Sequence, residues 1–236
     1  QETYLFCDRI GSTVEAIDIT SGEQRTFLSG AAGTFEPTDL LLRGDTLFVL
    51  DAAESMIRLY TPAGDIIGQT AIVDSAGSPL DFVSAFAASP VNGRLYVVDQ
   101  TSATVTAVGT DEAPLTFASY GAGESELTRP GDIAVSPLGA VLVTDRYQGR
   151  VQVYGADGEY LGEFGTNSMG QGTLKTPIGV ALDGDGTVYV ASPMSTSIEI
   201  FNGTFQGIIP KIVAAEPQWP PDGAQVGRAE LELKVQ

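Results

Sequence analysis

The sequence contains no histidine and a single cysteine among its 236 residues. Histidine is the usual general base of an enzyme, the usual partner of a serine or cysteine nucleophile and the commonest ligand of zinc and copper. Without it, only carboxylate, lysine or tyrosine side chains remain for proton transfer. We therefore predict that the protein is not an enzyme, and we assign it no catalytic residue and no cofactor.

Positive charge and long apolar runs are scarce as well. Against 30 acidic side chains stand 12 basic ones, of which only Lys175, Lys211 and Lys234 are lysines, so the formal net charge is −18. Such a surplus of negative charge repels the phosphates of nucleic acids and of anionic lipids. No run of 18 apolar residues is present, which predicts that no helix spans a membrane. We therefore expect neither nucleic acid nor membrane insertion among the interactions of this chain.

The start of the chain and its composition bear on the cellular compartment. Gln1 stands three residues before the first predicted strand, with no initiator methionine and no charged leader. This start is typical of a mature N-terminus after removal of a signal peptide. Because lysine is scarce and serine and threonine are abundant, we expect a secreted or cell-surface protein. The lone Cys7 cannot form an internal disulfide, and we expect it to be a small core residue.

The sequence is rich in short β-strand patterns separated by turn residues. Residues 127–165 contain four apolar segments with many β-branched and aromatic residues, at 132–136, 140–144, 150–154 and 160–164. Glycine, proline and aspartate separate these segments, which predicts four antiparallel strands. Both faces of such a sheet are apolar, so the sheet requires a further sheet on each side.

The same unit recurs along the chain. Five segments of four mostly apolar residues each precede a polar residue, here called the anchor, and successive anchors lie 43, 48, 46 and 47 residues apart. A β-branched residue follows every anchor by six positions. A repeat of about 40–50 residues with one turn geometry predicts a β-propeller of four-stranded blades. The anchors are Asp8, Asp51, Asp99, Asp145 and Ser192.

The fourth and fifth repeats resemble NHL repeats, whose pattern combines a proline, a glycine turn, a strand ending in aspartate and an Asp-Gly turn. The resemblance extends over residues 4–209 and implies an all-β propeller of about five four-stranded blades. Propellers of this kind include lyases, lactonase-like enzymes, RNA readers and binding scaffolds. The resemblance therefore indicates the fold but does not indicate which of these functions the protein has. The residues that carry it are Pro130, Gly139, 141–145, 150–154, Asp157 and Gly158, then Pro177, Gly186, 188–192 and 197–201.

The pattern divides the chain into a propeller at residues 1–209 and an extension at residues 210–236. The first repeat begins at its second strand, so its innermost strand is missing. The extension is rich in proline and ends at residues 228–236, where apolar and polar residues alternate as in a strand with one buried face. We predict that this strand either closes the first blade, with a sixth blade as a further arrangement, or enters a neighbouring subunit.

Several residues are candidates for binding. Asp51, Asp99 and Asp145 admit two interpretations: a ring of carboxylates for a cation, or, as we prefer, acceptors of amide hydrogen bonds in the following turn. Asn202 begins an Asn-Gly-Thr sequon and is a possible glycan attachment site. Trp219 in the proline-rich segment is expected at an interface. The predicted contacts of the terminal strand are Leu231, Leu233 and Val235.

These observations support three hypotheses about function. The preferred one is a secreted, non-catalytic scaffold that binds other proteins or copies of itself and assembles into a filament by C-terminal strand addition. The second is a ligand- or calcium-binding propeller enzyme with a carboxylate-lined central channel. The third is a propeller domain of a larger surface protein. For the preferred hypothesis we expect no metal and no cofactor.

Overall fold

The computed structural model describes residues 3–109, 112–167, 172–202 and 226–230, the last segment by its backbone alone. Strands and turns make up this part of the chain, together with one 3₁₀ turn at Pro193–Ser195. Five sheets follow one another along the chain as the blades of a β-propeller, and the predicted all-β propeller of five blades is confirmed. Among the described residues, no helix is long and apolar enough to cross a membrane.

The first two blades contain seven strands. Blade one has three antiparallel strands in the order β1-β2-β3, and blade two has four in the order β4-β5-β6-β7. Among the described residues, no further strand pairs with β1 on the inner side of blade one. The strands are β1 (Thr3–Asp8), β2 (Thr13–Asp18), β3 (Gln24–Ser29), β4 (Pro37–Arg43), β5 (Thr46–Asp51), β6 (Met56–Tyr60) and β7 (Ile66–Ala71).

Blades three and four are both complete antiparallel sheets, and a short parallel pair, β12-β13, lies between them in the chain. Their strands are β8 (Val83–Ala88), β9 (Leu95–Asp99), β10 (Thr104–Val108), β11 (Leu115–Phe117), β12 (Ser119–Tyr120), β13 (Glu126–Leu127), β14 (Pro130–Val135), β15 (Val141–Asp145), β16 (Arg150–Tyr154) and β17 (Tyr160–Phe164).

Blade five differs from the others in its outermost strand. Its strands are β18 (Gly179–Leu182), β19 (Val188–Ser192), β20 (Ser197–Asn202) and β21 (Val226–Glu230). The last of these runs parallel to β20, with Ile198 opposite Val226. The predicted terminal strand at residues 228–236 thus begins two residues later than β21 and overlaps it at residues 228–230. The structure places β21 on blade five of its own chain and not beside β1.

Part of the predicted extension falls on residues that the structure does not describe. Most of the proline-rich segment and the last six residues lie outside the described residues. The boundary between residues 209 and 210 therefore stays a prediction.

Side chains along the second strand of each blade alternate between the two faces of the sheet, and those on both faces are part of the apolar core. Of the four residues before an anchor, the first and third face the preceding blade, and the second and fourth face the following one. Leu47 and Val49 thus pack with Val14 of blade one, while Leu50 packs with Val97 of blade three. Four such apolar clusters lie between successive blades, which is where the predicted stacking of two-faced sheets places them.

Aromatic rings join blade three to blade four. The Phe117 ring of β11 lies 5.1 Å from the Tyr154 ring and 6.3 Å from the Tyr96 ring, measured between centroids. Gly158 faces the same ring: a Cβ atom built there would lie 2.6 Å from Phe117 Cγ. The hairpin between the third and fourth strands of blade four must therefore carry a glycine at this position, both for its φ of 78° and for the close approach.

A matched pair of glycine substitutions measures this packing. Gly22 occupies the corresponding hairpin of blade one with a φ of 72°, and no atom lies within 4 Å of its built Cβ. Gly22→Ala is expected to lose about 1–2 kcal/mol for the left-handed backbone alone. Gly158→Ala is expected to lose a further ~1–3 kcal/mol because the methyl group displaces Phe117. Urea unfolding of both variants checks this, and equal losses would contradict the packing argument.

Candidate functional site

The three buried anchor carboxylates, Asp51, Asp99 and Asp145, accept hydrogen bonds from groups of their own blades. Asp145 is completely buried, and its two oxygens accept hydrogen bonds from the backbone N–H groups of Thr128, Arg129, Tyr147 and Gln148 at 2.8–3.2 Å. Two of these donors precede the first strand of the blade and two follow the anchor. The carboxylate therefore joins the turn after the second strand to the residues that lead into the first strand.

Asp51 and Asp99 play the same part in blades two and three. Asp51 Oδ1 accepts the amides of Glu36 and Ala53 at 2.9 and 3.1 Å, and its Oδ2 accepts Arg58 Nε at 2.7 Å. Asp99 accepts four amides, from residues 81, 82, 101 and 102. The predicted amide hydrogen bonds are thus present. Across the described ranges, no group of three or more acidic or cysteine side chains has the geometry to hold a metal ion.

Ser192, the anchor of blade five, bonds in the opposite sense. Its hydroxyl donates to the carbonyl oxygen of Lys175 at 2.9 Å, where an aspartate accepts amide hydrogens. A serine hydroxyl carries one donor hydrogen, and a carboxylate carries none. Ser192 therefore joins the turn to the entry of its blade by a hydrogen bond of the opposite direction.

Two half-buried acids outside the anchor positions link neighbouring blades, and the sequence analysis missed them. Asp39 on β4 accepts the N–H of Phe86 in blade three at 2.9 Å, and Asp132 on β14 accepts the N–H of Val180 in blade five at 2.8 Å. Each acid stands two residues after the proline that opens its strand, Pro37 or Pro130. An acid at one repeated position inside an apolar strand was the signal available in the sequence.

Burial shifts the protonation of these groups. It raises the pKa of Asp39 to about 7 despite the hydrogen bond from Phe86, and the charge of Asp132 adds to the rise. Burial likewise raises the pKa of Asp132. Burial raises the pKa of the Cys7 thiol to about 12, and the negative charge of nearby Asp39 adds to this rise. Cys7 is therefore protonated at neutral pH. It is half-buried and not a fully buried core residue as the sequence predicts.

The other predicted site residues divide by whether the structure describes them. Asn202 ends β20, and only its backbone position is described. Trp219, Leu231, Leu233 and Val235 lie outside the described residues. Their assignment to an interface and that of Asn202 to a glycan stay predictions.

One end of the propeller carries an exposed apolar surface that the sequence analysis also missed. The hairpins joining the first and second strands of blades two, three and four carry Leu42, Val91 and Leu138, whose exposed fractions are 67%, 63% and 61%. We call these three residues and their hairpins the hairpin rim. The corresponding hairpin of blade five has the sequence Asp-Gly-Asp-Gly and carries no apolar side chain.

Neighbouring hairpins of the rim are in contact. A Cβ atom built on Gly139 in blade four would lie 3.4 Å from Val91 Cγ2 in blade three, and one built on Gly93 would lie 4.0 Å from the guanidinium of Arg43 in blade two. On the same side, the Tyr96 hydroxyl donates to the carbonyl oxygen of Ala156 at 2.8 Å and fixes blade three to blade four. The hairpins of blades three and four thus touch, and the hairpins of blades two and three adjoin through the Arg43 side chain.

The opposite end of the propeller carries exposed apolar residues at another repeated position, two residues after the anchor. Ile10, Tyr147 and Met194 occupy it in blades one, four and five, with exposed fractions of 98%, 71% and 71%. Between blades one and four, the same position holds the small residues Ala53 and Thr101. The exposed apolar residues at this end therefore occupy blades four and five and, apart from them in the chain, blade one.

Comparison with known proteins identifies the repeat. Residues 127–154, which cover the first three strands of blade four, match the NHL repeat. Protein lin-41 of Caenorhabditis elegans is 45% identical to this chain over 47 residues, which are 20% of this chain and 4% of that protein. The match is therefore confined to about one repeat of a much longer relative.

Solved structures of two enzymes share the fold. Virginiamycin B lyase from Staphylococcus aureus superposes with a TM-score of 0.61 at 14% identity, and the match covers 83% of this chain and 61% of the lyase. A gluconolactonase from Xanthomonas campestris superposes with a TM-score of 0.57 at 19% identity, covering 80% of this chain and 65% of the enzyme. This chain thus spans less than two thirds of either enzyme.

The prediction that the protein is not an enzyme is wrong, because enzymes are among the structures that share its propeller fold. The lack of histidine removes one set of catalytic groups, but the fold is one on which catalysis takes place. At 14% and 19% identity, the likeness extends to the fold and not to individual side chains.

Replacing an anchor acid tests its structural role. Asp145→Ala is expected to lower the free energy of unfolding by at least about 3 kcal/mol, because four buried amides lose their acceptor. Asp74→Ala, which removes an acceptor of two amides in an exposed loop, is the control and is expected to lose about 1 kcal/mol. Chemical unfolding with and without calcium distinguishes the roles, since recovery of stability in calcium would indicate a metal site.

The raised pKa of Asp39 predicts how stability depends on pH. Between about pH 4 and pH 7, folded Asp39 retains a proton that the unfolded chain has released, so stability falls as pH rises through this window. Asp39→Asn is expected to lose one hydrogen bond at every pH and to flatten this decline, which amounts to a few kcal/mol. Urea unfolding at about pH 5 and about pH 8 measures it. An equal pH dependence in both proteins would contradict the shift.

Proposed function

We propose that this protein, an NHL-repeat β-propeller, binds another protein through the hairpin rim. The observation that carries the proposal is the alignment of Leu42, Val91 and Leu138, each more than 60% exposed, on the touching hairpins of three successive blades. A single exposed apolar residue is ordinary on a protein surface, but a contiguous set marks an interaction site.

The composition of the rim resembles the centre of a protein interface. Apolar side chains stand at the hairpin tips, and polar groups such as Arg43 and Asn92 lie beside them. Interfaces commonly combine an apolar centre with a polar border. Covering the rim removes apolar area from water at about 25 cal/mol per Å², and the rigid blades beneath it lose little conformational entropy on binding.

The charge of the chain favours a protein as the ligand. With a net charge of −18, the molecule repels nucleic acids and anionic membranes, and the apolar tips offer no group that reads a base or a phosphate. The filament predicted from the sequence is compatible with a protein-binding role. The location of the protein outside the cell and the growth of a filament by strand addition stay predictions.

A rim variant tests the proposal. The chain with Leu42→Ser, Val91→Ser and Leu138→Ser is used as bait beside the wild-type chain, in extract and in medium of the source cells. Proteins captured by the wild-type chain are expected to be depleted at least about tenfold with the rim variant, because the centre of the interface is lost. Substitutions at exposed tips are expected to leave the melting temperature nearly unchanged.

The opposite end of the propeller supplies the control. Ile10→Ser, Tyr147→Ser and Met194→Ser remove three equally exposed apolar side chains from that end. Capture by this variant is expected to equal capture by the wild-type chain. Undiminished capture by the rim variant, or a loss confined to the control variant, would overturn the assignment of the rim.

A further inference from the structure

Two arginines lie side by side in blade four, at the end of the propeller opposite the hairpin rim. Arg146 directly follows the anchor Asp145, and its backbone N–H donates to the carbonyl oxygen of Arg129 at 3.0 Å. Arg129 precedes Pro130, where the first strand of the blade begins. Like charges directly opposite each other on paired strands repel. On a chain with a formal net charge of −18, these two residues, here called the arginine pair, form a local concentration of positive charge.

Among the described residues, no acidic side chain forms an ion pair with either member of the arginine pair. The Nε atom of Arg146 is buried and has no hydrogen-bond acceptor in this part of the chain. A guanidinium cannot lose its charge in a protein, so a buried N–H without an acceptor is unfavourable. An oxygen atom of a bound anion would remove this cost. The ion pairs that the described residues do form use Arg9, Arg58, Arg94 and Arg150.

A glycine lets the side chain of Arg146 lie across the innermost strand of the blade. A Cβ atom built on Gly131 of β14 would lie only 3.0 Å from Cγ and Cδ of Arg146. The strand β14 lies between the innermost strands of blades three and five and contacts both. Arg146 is therefore held, half-buried, near the axis about which the blades are arranged. The equivalent positions of blades two, three and five carry side chains, namely Thr38, Ser84 and Ile178.

Blade one contains an arginine at the same repeat position, and that arginine has a carboxylate partner. Arg9 directly follows the anchor Asp8, and its Nε and Nη2 atoms donate to Glu36 Oε2 at 3.0 and 2.9 Å. Glu36 precedes the proline at the entry of the next blade. For Arg146, the equivalent residue of the next blade is Thr176, which carries no charge. The chain thus supplies a carboxylate to Arg9 from a position that has none for Arg146.

We propose that the arginine pair binds a small molecule through a carboxylate group, which takes the place that Glu36 fills beside Arg9. The Nε atom that lacks an acceptor in Arg146 is the atom by which Arg9 holds its carboxylate. A guanidinium matches a carboxylate in charge and in geometry, and it can donate two parallel hydrogen bonds to it. A monocarboxylate brings one negative charge, so the net charge of −18 opposes its approach less than the approach of a polyphosphate.

This inference goes beyond the proposed function and concerns the opposite end of the propeller. A half-buried arginine near the axis suits a small ligand better than the surface of a protein partner, because the ligand must reach a buried Nε atom. Arg129 is exposed and supplies a second positive charge at the entrance. Either proposal can fail without the other, since the hairpin rim and the arginine pair share no residue.

Acetate is the simplest probe of the arginine pair. In the ¹⁵N-labelled chain, the Nε–Hε resonance of Arg146 is expected to shift and to saturate as sodium chloride is replaced by sodium acetate at constant ionic strength. The variants Arg146→Gln and Arg146→Lys, followed through the backbone amide of Tyr147, are expected to bind acetate at least about tenfold more weakly, because charge-assisted hydrogen bonds are lost. Lysine keeps the charge but lacks the planar fork of donors, so Arg146→Lys separates geometry from charge.

A matched variant of blade one controls for net charge. Arg9→Gln removes one positive charge from the same repeat position, where Glu36 already pairs with the guanidinium, and it is expected to bind acetate as the wild-type chain does. Arg129→Gln removes the exposed charge and is expected to weaken binding about three- to fivefold. Circular dichroism and thermal melting confirm that each variant is folded. A loss with Arg9→Gln equal to the loss with Arg146→Gln would reduce the effect to net charge and contradict the site.

Three further results would overturn the proposal. A resonance shift that rises linearly with acetate and never saturates would show that the arginine pair forms no site. Saturation by inorganic phosphate but not by acetate would show a site for a different anion. Loss of captured proteins with Arg146→Gln, in the bait assay described for the rim variant, would show that the carboxylate belongs to a protein. Capture by the rim variant itself reports on the proposed function alone, so the failures of the two proposals are distinguishable.

Discussion

Every blade of this propeller has two apolar faces, and each face must be covered. A sheet such as blade four, with Val143 on one side and Leu142 on the other, is completely buried only because a neighbouring blade lies against each side. The four apolar clusters between blades supply this cover, and the stack is consequently stable as a unit.

Hydrogen bonds to buried or half-buried carboxylates define the position of each blade relative to its neighbour, which apolar packing alone does not define. Asp51, Asp99 and Asp145 fasten the turn and the entry of a blade together, whereas Asp39 and Asp132 reach across to an amide of the next blade. Hydrogen bonds are directional, so these carboxylates fix the angle and height of each sheet against its neighbour. Burial of an acid is unfavourable in itself, and the raised pKa of Asp39 reflects that cost.

The same architecture carries different activities in different proteins. A lyase and a gluconolactonase share it with this chain at 14% and 19% identity, so function resides in the loops and faces that the stack presents. In this chain the hairpin rim is an exposed apolar surface of this kind. It depends on the rigid alignment of blades, because its residues come from distant parts of the sequence.

The sequence by itself determined the repeat and a propeller of about five blades, and it favoured a turn role for the anchor acids, because period-two alternation and turn residues are local signals. It did not reveal Asp39 or Asp132, whose partners lie 47 and 48 residues away in the next blade. The rim of Leu42, Val91 and Leu138 likewise exists only once three hairpins meet. The position of β21 beside β20 was also decided by the tertiary structure, since an alternating strand defines a buried face but not the sheet edge that it joins.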